Sequence, residues 1–356
     1  MSKKINIIIT GKMTDGTIRA KLEPLSRIES IENIYFIRKT VGPQILKVKY
    51  LKLPSICELS FFNLLLTPLF LAYYTIKLKA SYILSYHIIP YAFIAAIGSL
   101  LTGKPYFVCQ TGLLIQKMSE RKVFWFLLKR IILKANMLCV PGTASLEFWK
   151  SKGIEDSKIK ILHSTIDTDI FYPAQFNERA YYFIYTGRIA GEKRIDFLLK
   201  AFASVCSQHR EVKLLVVGDG PLLDKMKEQT DLLNISENVV FTGYQQNILT
   251  WLNKSKFIVL TSYSEGLPCS IMEGMSAGLI PITTAVGNLP DIVINGETGF
   301  CVEKDDIKSF VNYMNHLITA NPDEIENIRQ NARRIIVEQH SHYISIKKWK
   351  EILEVI

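Results

Sequence analysis

The chain has 356 residues, 48% hydrophobic and 21% charged, a composition that excludes a disordered tail and a fibrous repeat. Its net charge is +10; residues 1–173 carry an excess of 13 basic residues, whereas residues 174–356 carry an excess of 3 acidic ones. The first half alone is therefore predicted to meet an anionic partner. The six cysteines lack metal-knuckle and CxxC spacing, which predicts no zinc site and a reducing, cytoplasmic setting.

Short strands rich in valine and isoleucine alternate with helical segments along the chain. The predicted strands are Ile5–Ile9, Tyr35–Ile37, Tyr82–Tyr86, Tyr106–Cys109, Met137–Val140, Tyr182–Tyr185, Lys213–Val217, Val239–Thr242, Phe257–Leu260 and Ile280–Thr283. This alternation predicts α/β domains with parallel sheets, which bind ligands at the carboxyl ends of their strands. The first apolar run is too short for a signal peptide, so we interpret it as the first strand.

Two long stretches of the first half, residues 59–76 and 80–103, contain no charged side chain. Each is long enough to span a membrane, but prolines and polar residues interrupt both. We interpret the second stretch as a strand, a turn at His87–Pro90 and a buried helix over Tyr91–Leu101. A peripheral membrane contact remains open.

The segment 117–136 has helical periodicity and combines an apolar arc with basic residues. Basic and aromatic side chains together are typical of a helix that lies on an anionic membrane. The candidate contact residues are Lys122, Trp125, Lys129 and Arg130. The alternative is a core helix whose lysines reach out to solvent. No nucleic-acid recognition motif accompanies the charge, so nucleic acid is not a predicted partner.

A segment rich in turn residues, IDTDIFYP, begins at residue 166 and predicts the domain boundary. The predicted domains are 1–165 and 166–339, with a helix over 340–356 that packs back on the first domain. Asp167 and Asp169 have the DxD spacing of metal-dependent enzymes, but in this context they indicate a linker turn.

Three turns of the second half carry candidate ligand-binding residues. Arg188 and Lys193 follow one strand, where a guanidinium and an ammonium suit a diphosphate. Gly218 and Gly220 follow the next strand and allow close backbone approach to a phosphate or ribose, although a tight structural turn is the more common explanation of such a pair. A dinucleotide-binding fingerprint would need a glycine at position 223, which is leucine.

The string SEGLPCSIMEG places two carboxylates around the start of a helix predicted over Cys269–Ala277. Glu265 lies in the preceding turn and Glu273 about one turn into the helix. Carboxylates accept hydrogen bonds from the diols of sugars and ribose. The amides of Gly266–Cys269 add an anion site at the helix start.

These strings in this order, GR-x4-K, GDGP, FTG, EG-x-P-x4-E and a VG-x2-P-D-IV tail, resemble glycosyltransferase family 4, within the glycosyl transferases group 1. The resemblance covers about residues 165–305. It implies the GT-B fold, in which two Rossmann-like domains with parallel sheets face each other across a cleft. It further implies an acceptor-binding first domain and a second domain that binds the nucleotide-sugar donor.

The resemblance also implies roles for single residues. Arg188 and Lys193 would hold the departing diphosphate, Glu265 would contact the donor sugar, and Glu273 would bind the ribose. Further donor contacts would come from Gly266, Leu267, Pro268, Gly218 and Gly220, and from Gly11 and Gly16 in a loop after the first strand. The two cations would replace a divalent metal, so neither metal nor cofactor is expected.

Several residues depart from the family pattern. Asn288 stands where a second glycine is common, and Arg194 replaces a usual glycine. On the acceptor side, His87 resembles the family's earlier histidine, whereas Gln110 stands where a histidine is common. Whether His87 is catalytic or structural is left open by the sequence.

The leading hypothesis is a retaining, metal-independent hexosyltransferase that acts on a lipid-linked glycan in the synthesis of a surface polysaccharide of O-antigen or capsule type. We expect it in the cytoplasm, peripheral on the inner face of the membrane. The alternatives are a nucleotide-sugar epimerase on the same fold and a non-catalytic scaffold that binds a nucleotide sugar.

Overall fold

The computed structural model describes residues 4–38, 40–54, 60–111, 122–173 and 179–354. The chain divides into two compact units: unit 1 comprises Met1–Thr165 and His342–Ile356, and unit 2 comprises Ile166–Ser341. The boundary proposed from the sequence also lies between residues 165 and 166.

Unit 1 contains a sheet of seven parallel strands in the order β3-β2-β1-β4-β5-β6-β7. Its strands are β1 (Ile5–Gly11), β2 (Ile31–Ile37), β3 (Val48–Leu51), β4 (Tyr82–Tyr86), β5 (Tyr106–Cys109), β6 (Met137–Val140) and β7 (Ile159–Ile161). Its described helices, numbered along the whole chain, are α1 (Asp15–Ser26), α2 (Ser60–Lys77), α3 (Tyr91–Thr102), α4 (Lys122–Lys134), α5 (Thr143–Ser151) and α12 (His342–Glu354).

The helices of unit 1 cover both faces of its sheet. Side chains of β1 alternate between the faces, as the pleat of a strand requires. Ile8 joins a core cluster with residues of α2, α3, α4 and α5. Ile7 and Ile9 join a second cluster with residues of α1 and with Trp349 of α12. The helix α12 thus completes the core of unit 1.

Unit 2 contains a sheet of six parallel strands in the order β10-β9-β8-β11-β12-β13. Its strands are β8 (Tyr181–Thr186), β9 (Leu214–Val217), β10 (Val239–Gly243), β11 (Ser255–Leu260), β12 (Ile280–Thr284) and β13 (Phe300–Val302). Its described helices are α6 (Ile195–Cys206), α7 (Leu223–Leu232), α8 (Ile248–Leu252), α9 (Cys269–Ser276), α10 (Ile307–Thr319) and α11 (Pro322–His340).

All ten strands predicted from the sequence are present, with ends that differ by up to a few residues. The structure adds β3, β7 and β13, each of three or four residues and each at an edge of its sheet. An edge strand needs less apolar sequence because a neighbour covers only one of its sides, so its pattern is weaker.

The uncharged stretch 80–103 forms β4, a turn and α3, as predicted. The helix α3 buries only one face, however, because Ile97, Leu100 and Leu101 are exposed. Most of the other stretch forms α2. Within the part of the chain that is described, we find no helix with the length and apolarity to cross a lipid bilayer.

Candidate functional site

The candidate donor residues of unit 2 follow four neighbouring strands. Arg188 and Lys193 follow β8, Gly218 and Gly220 follow β9, and Glu265 follows β11. The segment 287–288 follows β12. Because these strands are parallel and adjacent in the order β9-β8-β11-β12, their carboxyl ends gather the four loops at one edge of the sheet.

Lys193 and Glu265 form an ion pair at this edge. The Nζ atom of Lys193 lies 2.5 Å from Oε1 of Glu265, and their side chains are 21% and 12% exposed. The hydroxyl of Ser262 donates a second hydrogen bond to Oε1, at 2.7 Å. Among the described residues, both hydrogen bonds go to Oε1, so Oε2 can accept hydrogen bonds from a ligand.

The backbone around Lys193 is tied to the end of β11. The hydroxyl of Thr261 donates to the carbonyls of Lys193 and Arg194, at 3.0 and 2.9 Å. The amide of Tyr263 donates to the carbonyl of Glu192 at 2.9 Å. These bonds fix the ammonium of Lys193 opposite Glu265.

Arg194 adopts a left-handed backbone with φ of +54°, a conformation that favours glycine. An arginine in place of the family's usual glycine therefore has a conformational cost at this position. Its guanidinium lies 2.8 Å from Asp305 Oδ1 and 4.2 Å from the centre of the Tyr263 ring. These contacts offset part of that cost.

Arg188 is exposed, and its guanidinium has no ion pair among the described residues. Its carbonyl accepts a hydrogen bond from the hydroxyl of Tyr185 at 2.8 Å. Tyr185 is fully buried, and burial, followed by the nearby Glu265 and Glu192, raises the pKa of its hydroxyl. The neutral hydroxyl anchors the loop, and the guanidinium remains available to an anion.

At positions 218 and 220 only glycine fits, because the backbone of a neighbouring loop leaves no room for a Cβ atom. A Cβ at Gly218, where φ is +148°, would lie 1.8 Å from the carbonyl oxygen of Gly187. A Cβ at Gly220 would lie 2.2 Å from the carbonyl oxygen of Ile189. The tight structural turn therefore accounts for both glycines, and their predicted contact with the donor stays a prediction.

The loop after β12 packs on the Glu265 turn. The amide of Asn288 donates to the carbonyl of Gly266 at 2.8 Å, and a Cβ at Gly287 would lie 2.3 Å from two carbonyl oxygens of that turn. The side chain of Asn288 is buried, and neither polar atom has a hydrogen-bond partner within the described residues. Leu267 is buried, and Pro268 occupies the N-cap position of α9.

Glu273 lies on α9, which packs closely on β11 because Gly274 has no side chain: a Cβ there would lie 2.7 Å from Ile258 Cδ1. Desolvation by burial raises the pKa of the Glu273 carboxyl to about 7. No ion pair or side-chain hydrogen bond of Glu273 is recorded among the described residues. With a pKa near pH 7 and no such partner, this carboxyl can bind a diol with little competition from other protein groups.

Thr261 and Ser262, the two hydroxyl residues that hold Lys193 and Glu265, were not among the predicted site residues. Their signal was present: both are small polar residues that directly follow a buried strand and precede a candidate site residue. Such positions lie at the ligand-binding edge of a parallel sheet.

Asp167 and Asp169 form a turn. Oδ1 of Asp167 accepts a hydrogen bond from the amide of Asp169 at 3.1 Å, and its carbonyl accepts from the amide of Phe171 at 3.0 Å. In the described part of the chain, no group of three or more His, Cys, Asp and Glu residues could hold a metal ion.

In unit 1, Gly11 ends β1 and its missing side chain lets Tyr86 approach, because a Cβ would lie 2.5 Å from the Tyr86 carbonyl oxygen. Gly16 lies in the first turn of α1, so its predicted place in a loop is wrong. His87 is half-buried with a φ of +72°, and desolvation, followed by the charge of Lys12, lowers the pKa of its imidazole.

Gln110 is buried, and its side chain binds within unit 1. Its amide nitrogen donates to the hydroxyl of Ser145 at 3.1 Å, and its amide oxygen accepts from the indole of Trp149 at 2.7 Å. This geometry favours a structural role over the predicted acceptor contact.

The predicted membrane residues on α4 have different environments. Trp125 is half-buried, and its ring stacks on that of Trp149 with the two ring centres 5.6 Å apart, so its predicted membrane contact stays a prediction. The exposed aromatic is Phe126, over which the guanidinium of Arg130 lies at 4.4 Å. Lys129 is half-buried, and the side chain of Lys122 lies outside the described part.

Residues 167–335, almost the whole of unit 2, match the family model for glycosyl transferases group 1. Unit 2 is thus similar to this family over nearly its whole length. The predicted resemblance to the glycosyl transferases group 1 is thereby confirmed, whereas the assignment to family 4 stays a prediction.

Two curated glycosyltransferases are similar in sequence. The chain is 29% identical over 227 residues to the capsular polysaccharide biosynthesis glycosyltransferase CapM of Staphylococcus aureus, a match that covers 63% of this chain and 58% of CapM. It is 26% identical over 215 residues to the Escherichia coli UDP-Gal:alpha-D-GlcNAc-diphosphoundecaprenol alpha-1,3-galactosyltransferase, covering 56% of this chain and 54% of that enzyme. The chain thus spans less than two thirds of the length of these relatives.

Among solved structures, HepE of Anabaena in complex with UDP has a TM-score of 0.82 at 15% identity, covering 99% of this chain and 100% of HepE. This likeness shows the fold. The predicted fold class, two parallel α/β domains of GT-B type, is confirmed.

Proposed function

We propose that the chain is a retaining glycosyltransferase that moves a hexosyl group from a nucleotide-diphosphate sugar to a hydroxyl of a lipid-linked glycan, in the synthesis of a surface polysaccharide. The observation that carries the proposal is the Lys193–Glu265 ion pair at the sheet edge of a glycosyl transferases group 1 unit. The relatives, which include a capsule enzyme and a transferase to a diphosphoundecaprenol acceptor, support the substrate classes.

The donor would be held by charges of both signs. The exposed guanidinium of Arg188 would bind the diphosphate in a bidentate manner. Lys193 would lie between Glu265 and the diphosphate and thus link the sugar end of the donor to its leaving group. A HepE structure in complex with UDP-glucose supports a nucleotide-sugar ligand for this fold.

The reaction would break the bond between the anomeric carbon of the sugar and the oxygen of the β-phosphate. The acceptor hydroxyl would attack the same face of the sugar, and its proton would pass to the departing phosphate oxygen. Glu265 would stabilise the positive charge that develops on the sugar, and Arg188 with Lys193 would stabilise the negative charge on the diphosphate. These two cations would supply the neutralisation that a divalent metal supplies elsewhere.

A binding experiment tests the donor site. We expect Arg188→Ala to weaken the binding of UDP by about 1.5–3 kcal/mol, roughly ten- to hundredfold in Kd, because a charge-assisted contact is lost. Lys200→Ala, which removes an exposed lysine from α6, is the matched control and should leave Kd unchanged. Equal calorimetric affinity of Arg188→Ala and the unaltered chain for UDP and other nucleoside diphosphates would refute the site.

A product analysis tests the reaction. The chain is incubated with a panel of nucleotide sugars, with and without a polyprenyl-diphosphate glycan. Retaining transfer predicts a glycosylated acceptor with the donor's anomeric configuration, formed only when the acceptor is present. Conversion of one free nucleotide sugar into its epimer would instead support an epimerase, and binding of nucleotide sugars without turnover a scaffold.

The proposal includes a peripheral location on an anionic membrane. The excess of 13 basic residues in residues 1–173 and the exposed pair Phe126 and Arg130 support it. Replacement of Lys129 and Arg130 by glutamate should reduce sedimentation with anionic liposomes at low salt and leave the affinity for UDP intact. Unchanged sedimentation would exclude α4 as the contact.

A further inference from the structure

A groove of about 620 Å³ lies between α3 and α4 on the outer side of unit 1. Its apolar walls include Ile97 and Leu100 from α3 and Leu127 and Ile131 from α4. Leu100 is 84% exposed and Leu127 is 48% exposed, a large apolar surface to leave in contact with water. The volume is in the range of pockets that hold small molecules.

The groove has charges of one sign only. Among the described residues that line it, Arg130 and Lys134 are the charged ones, and none is acidic. They stand four residues apart, on the same face of α4 as the lining residues Leu127 and Ile131. Neither has an ion pair with a carboxylate in the part of the chain that the structure describes. An apolar groove with two unpaired cations complements an apolar chain that carries an anionic group.

The groove lies away from the edge where the acceptor is expected. Its lining on α3 runs from Phe93 to Leu100, and it is also lined by Lys134, the last residue of α4, and by Tyr106, the first residue of β5. The hydroxyl of Tyr106 donates to the carbonyl of Ile131 at 2.5 Å, which ties α4 to the start of that strand. The groove therefore lies towards the amino ends of the strands, whereas ligands that react bind at their carboxyl ends.

We propose that this groove binds one acyl chain of an anionic membrane phospholipid, with the lipid phosphate on Arg130 and Lys134. The inference rests on the proposed membrane location of unit 1. It adds a defined lipid-binding site to the general attraction between the basic residues of unit 1 and an anionic membrane. The lipid serves as an anchor and is distinct from the glycosyl acceptor, because the groove lies towards the other edge of the sheet. The exposed apolar side chains of α2, among them Leu69 and Ile76, extend the apolar surface of the same helical layer.

The test uses a soluble lipid, so that it does not depend on vesicle binding. The full chain is titrated with dioctanoyl phosphatidylglycerol below its aggregation concentration, and binding is followed by calorimetry and native mass spectrometry. We expect saturable binding of one lipid per chain. Dioctanoyl phosphatidylcholine should bind at least fivefold more weakly, because its head group has no net charge, and inorganic phosphate alone should not bind measurably.

Variants locate the site. Leu100→Asn removes apolar wall from an exposed position, and Ala96→Phe, at another lining residue, fills the groove. Each should weaken the binding of phosphatidylglycerol at least fivefold, and Arg130→Gln should weaken it roughly fivefold. Leu232→Asn, at an 82% exposed position of unit 2, is the matched control and should change nothing.

Equal affinity of Leu100→Asn, Ala96→Phe and the unaltered chain for phosphatidylglycerol would overturn the proposal. Equal affinity of the unaltered chain for phosphatidylcholine and phosphatidylglycerol would also overturn it. A third refuting outcome is a dimer in which a second copy of the chain covers the groove; the mass in solution would then be lower for Leu100→Asn than for the unaltered chain. The affinity for UDP is measured in the same variants. A loss of lipid binding with unchanged UDP binding supports the groove, and the absence of UDP binding in every sample would count against the donor site alone.

Discussion

Glu273 offers the sharpest test of the donor site, because burial gives it a property that can be measured without substrate. Its carboxyl has a pKa of about 7 against an ordinary value of 4.5. Between these values the folded chain holds a proton that the unfolded chain has released. The free energy of unfolding therefore decreases as the pH rises through this window.

The size of the effect follows from the two pKa values. Their difference corresponds to about 3 kcal/mol, as an upper bound for a carboxyl that solvent partly reaches. Glu273→Gln keeps the shape of the protonated acid and has no proton to lose. The variant should therefore match the unaltered chain near pH 4.5–5 and exceed it above pH 7.5, by roughly 6–12 °C in the Tm of unit 2 at the upper bound.

The assay is thermal unfolding of the full chain between pH 5 and pH 8, with Glu297→Gln as the control for the loss of one carboxyl at an exposed position of the same unit. A Tm difference between Glu273→Gln and the unaltered chain that stays constant over this range would refute the reasoning. The same ionisation should affect ligand binding. If ribose hydroxyls donate to the Glu273 carboxylate, the affinity for UDP should rise by up to about tenfold per pH unit below pH 7 and should lose this dependence in Glu273→Gln.

Three further predictions concern backbone and metal. Gly218→Ala should destabilise unit 2 by more than about 2 kcal/mol, since its Cβ would meet the Gly187 carbonyl. The control Gly191→Ala, with no atom within 4 Å of the new Cβ, should leave the stability unchanged, and equal Tm values for the two variants would contradict the prediction. Arg194→Ala should be less stable than Arg194→Gly by about 1 kcal/mol, because both lose the ion pair and only alanine keeps the left-handed cost; the reverse order in urea unfolding would count against it. Transfer activity should persist in EDTA, and a loss restored by manganese would revive Asp167 as a ligand.

All central strands could be predicted from the sequence; of the edge strands, the apolar β10 could be predicted, whereas β3, β7 and β13 could not. Strands such as β4 and β8 lie between two others and are largely buried, so they appear as continuous apolar runs. In β3 and β7 a lysine occupies an exposed position, and only one side of the strand is paired. Their short polar sequences do not differ from those of loops.

The candidate site was predictable in its residue types and less so in its contacts. Strand order brings Arg188, Lys193 and Glu265 to one edge, as parallel topology requires. Sequence could not show that Lys193 is already paired with Glu265, or that Ser262 shares the same oxygen, because such contacts join residues about 70 positions apart or depend on a turn's geometry.

The helical projection of α4 could not separate buried from exposed positions on its apolar arc, because it contains no information about neighbouring elements. Trp125 and Leu127 both lie on this arc, but Trp125 packs against Trp149 of α5, whereas Leu127 is 48% exposed. Gln110 was assigned by its position in a motif, and its hydrogen bonds with Ser145 and Trp149 became visible only in the structure.

The chain leaves unit 1 after Thr165 and returns to it at His342, and this path sets the order in which the two cores become available for folding. Unit 2 is one continuous segment, so all of its strands and helices are present before α12 is. Unit 1 cannot complete its core without Trp349 and Ile352, which follow the whole of unit 2 in the chain. The amino-terminal unit therefore emerges first, but one face of its sheet stays partly uncovered until α12 is available.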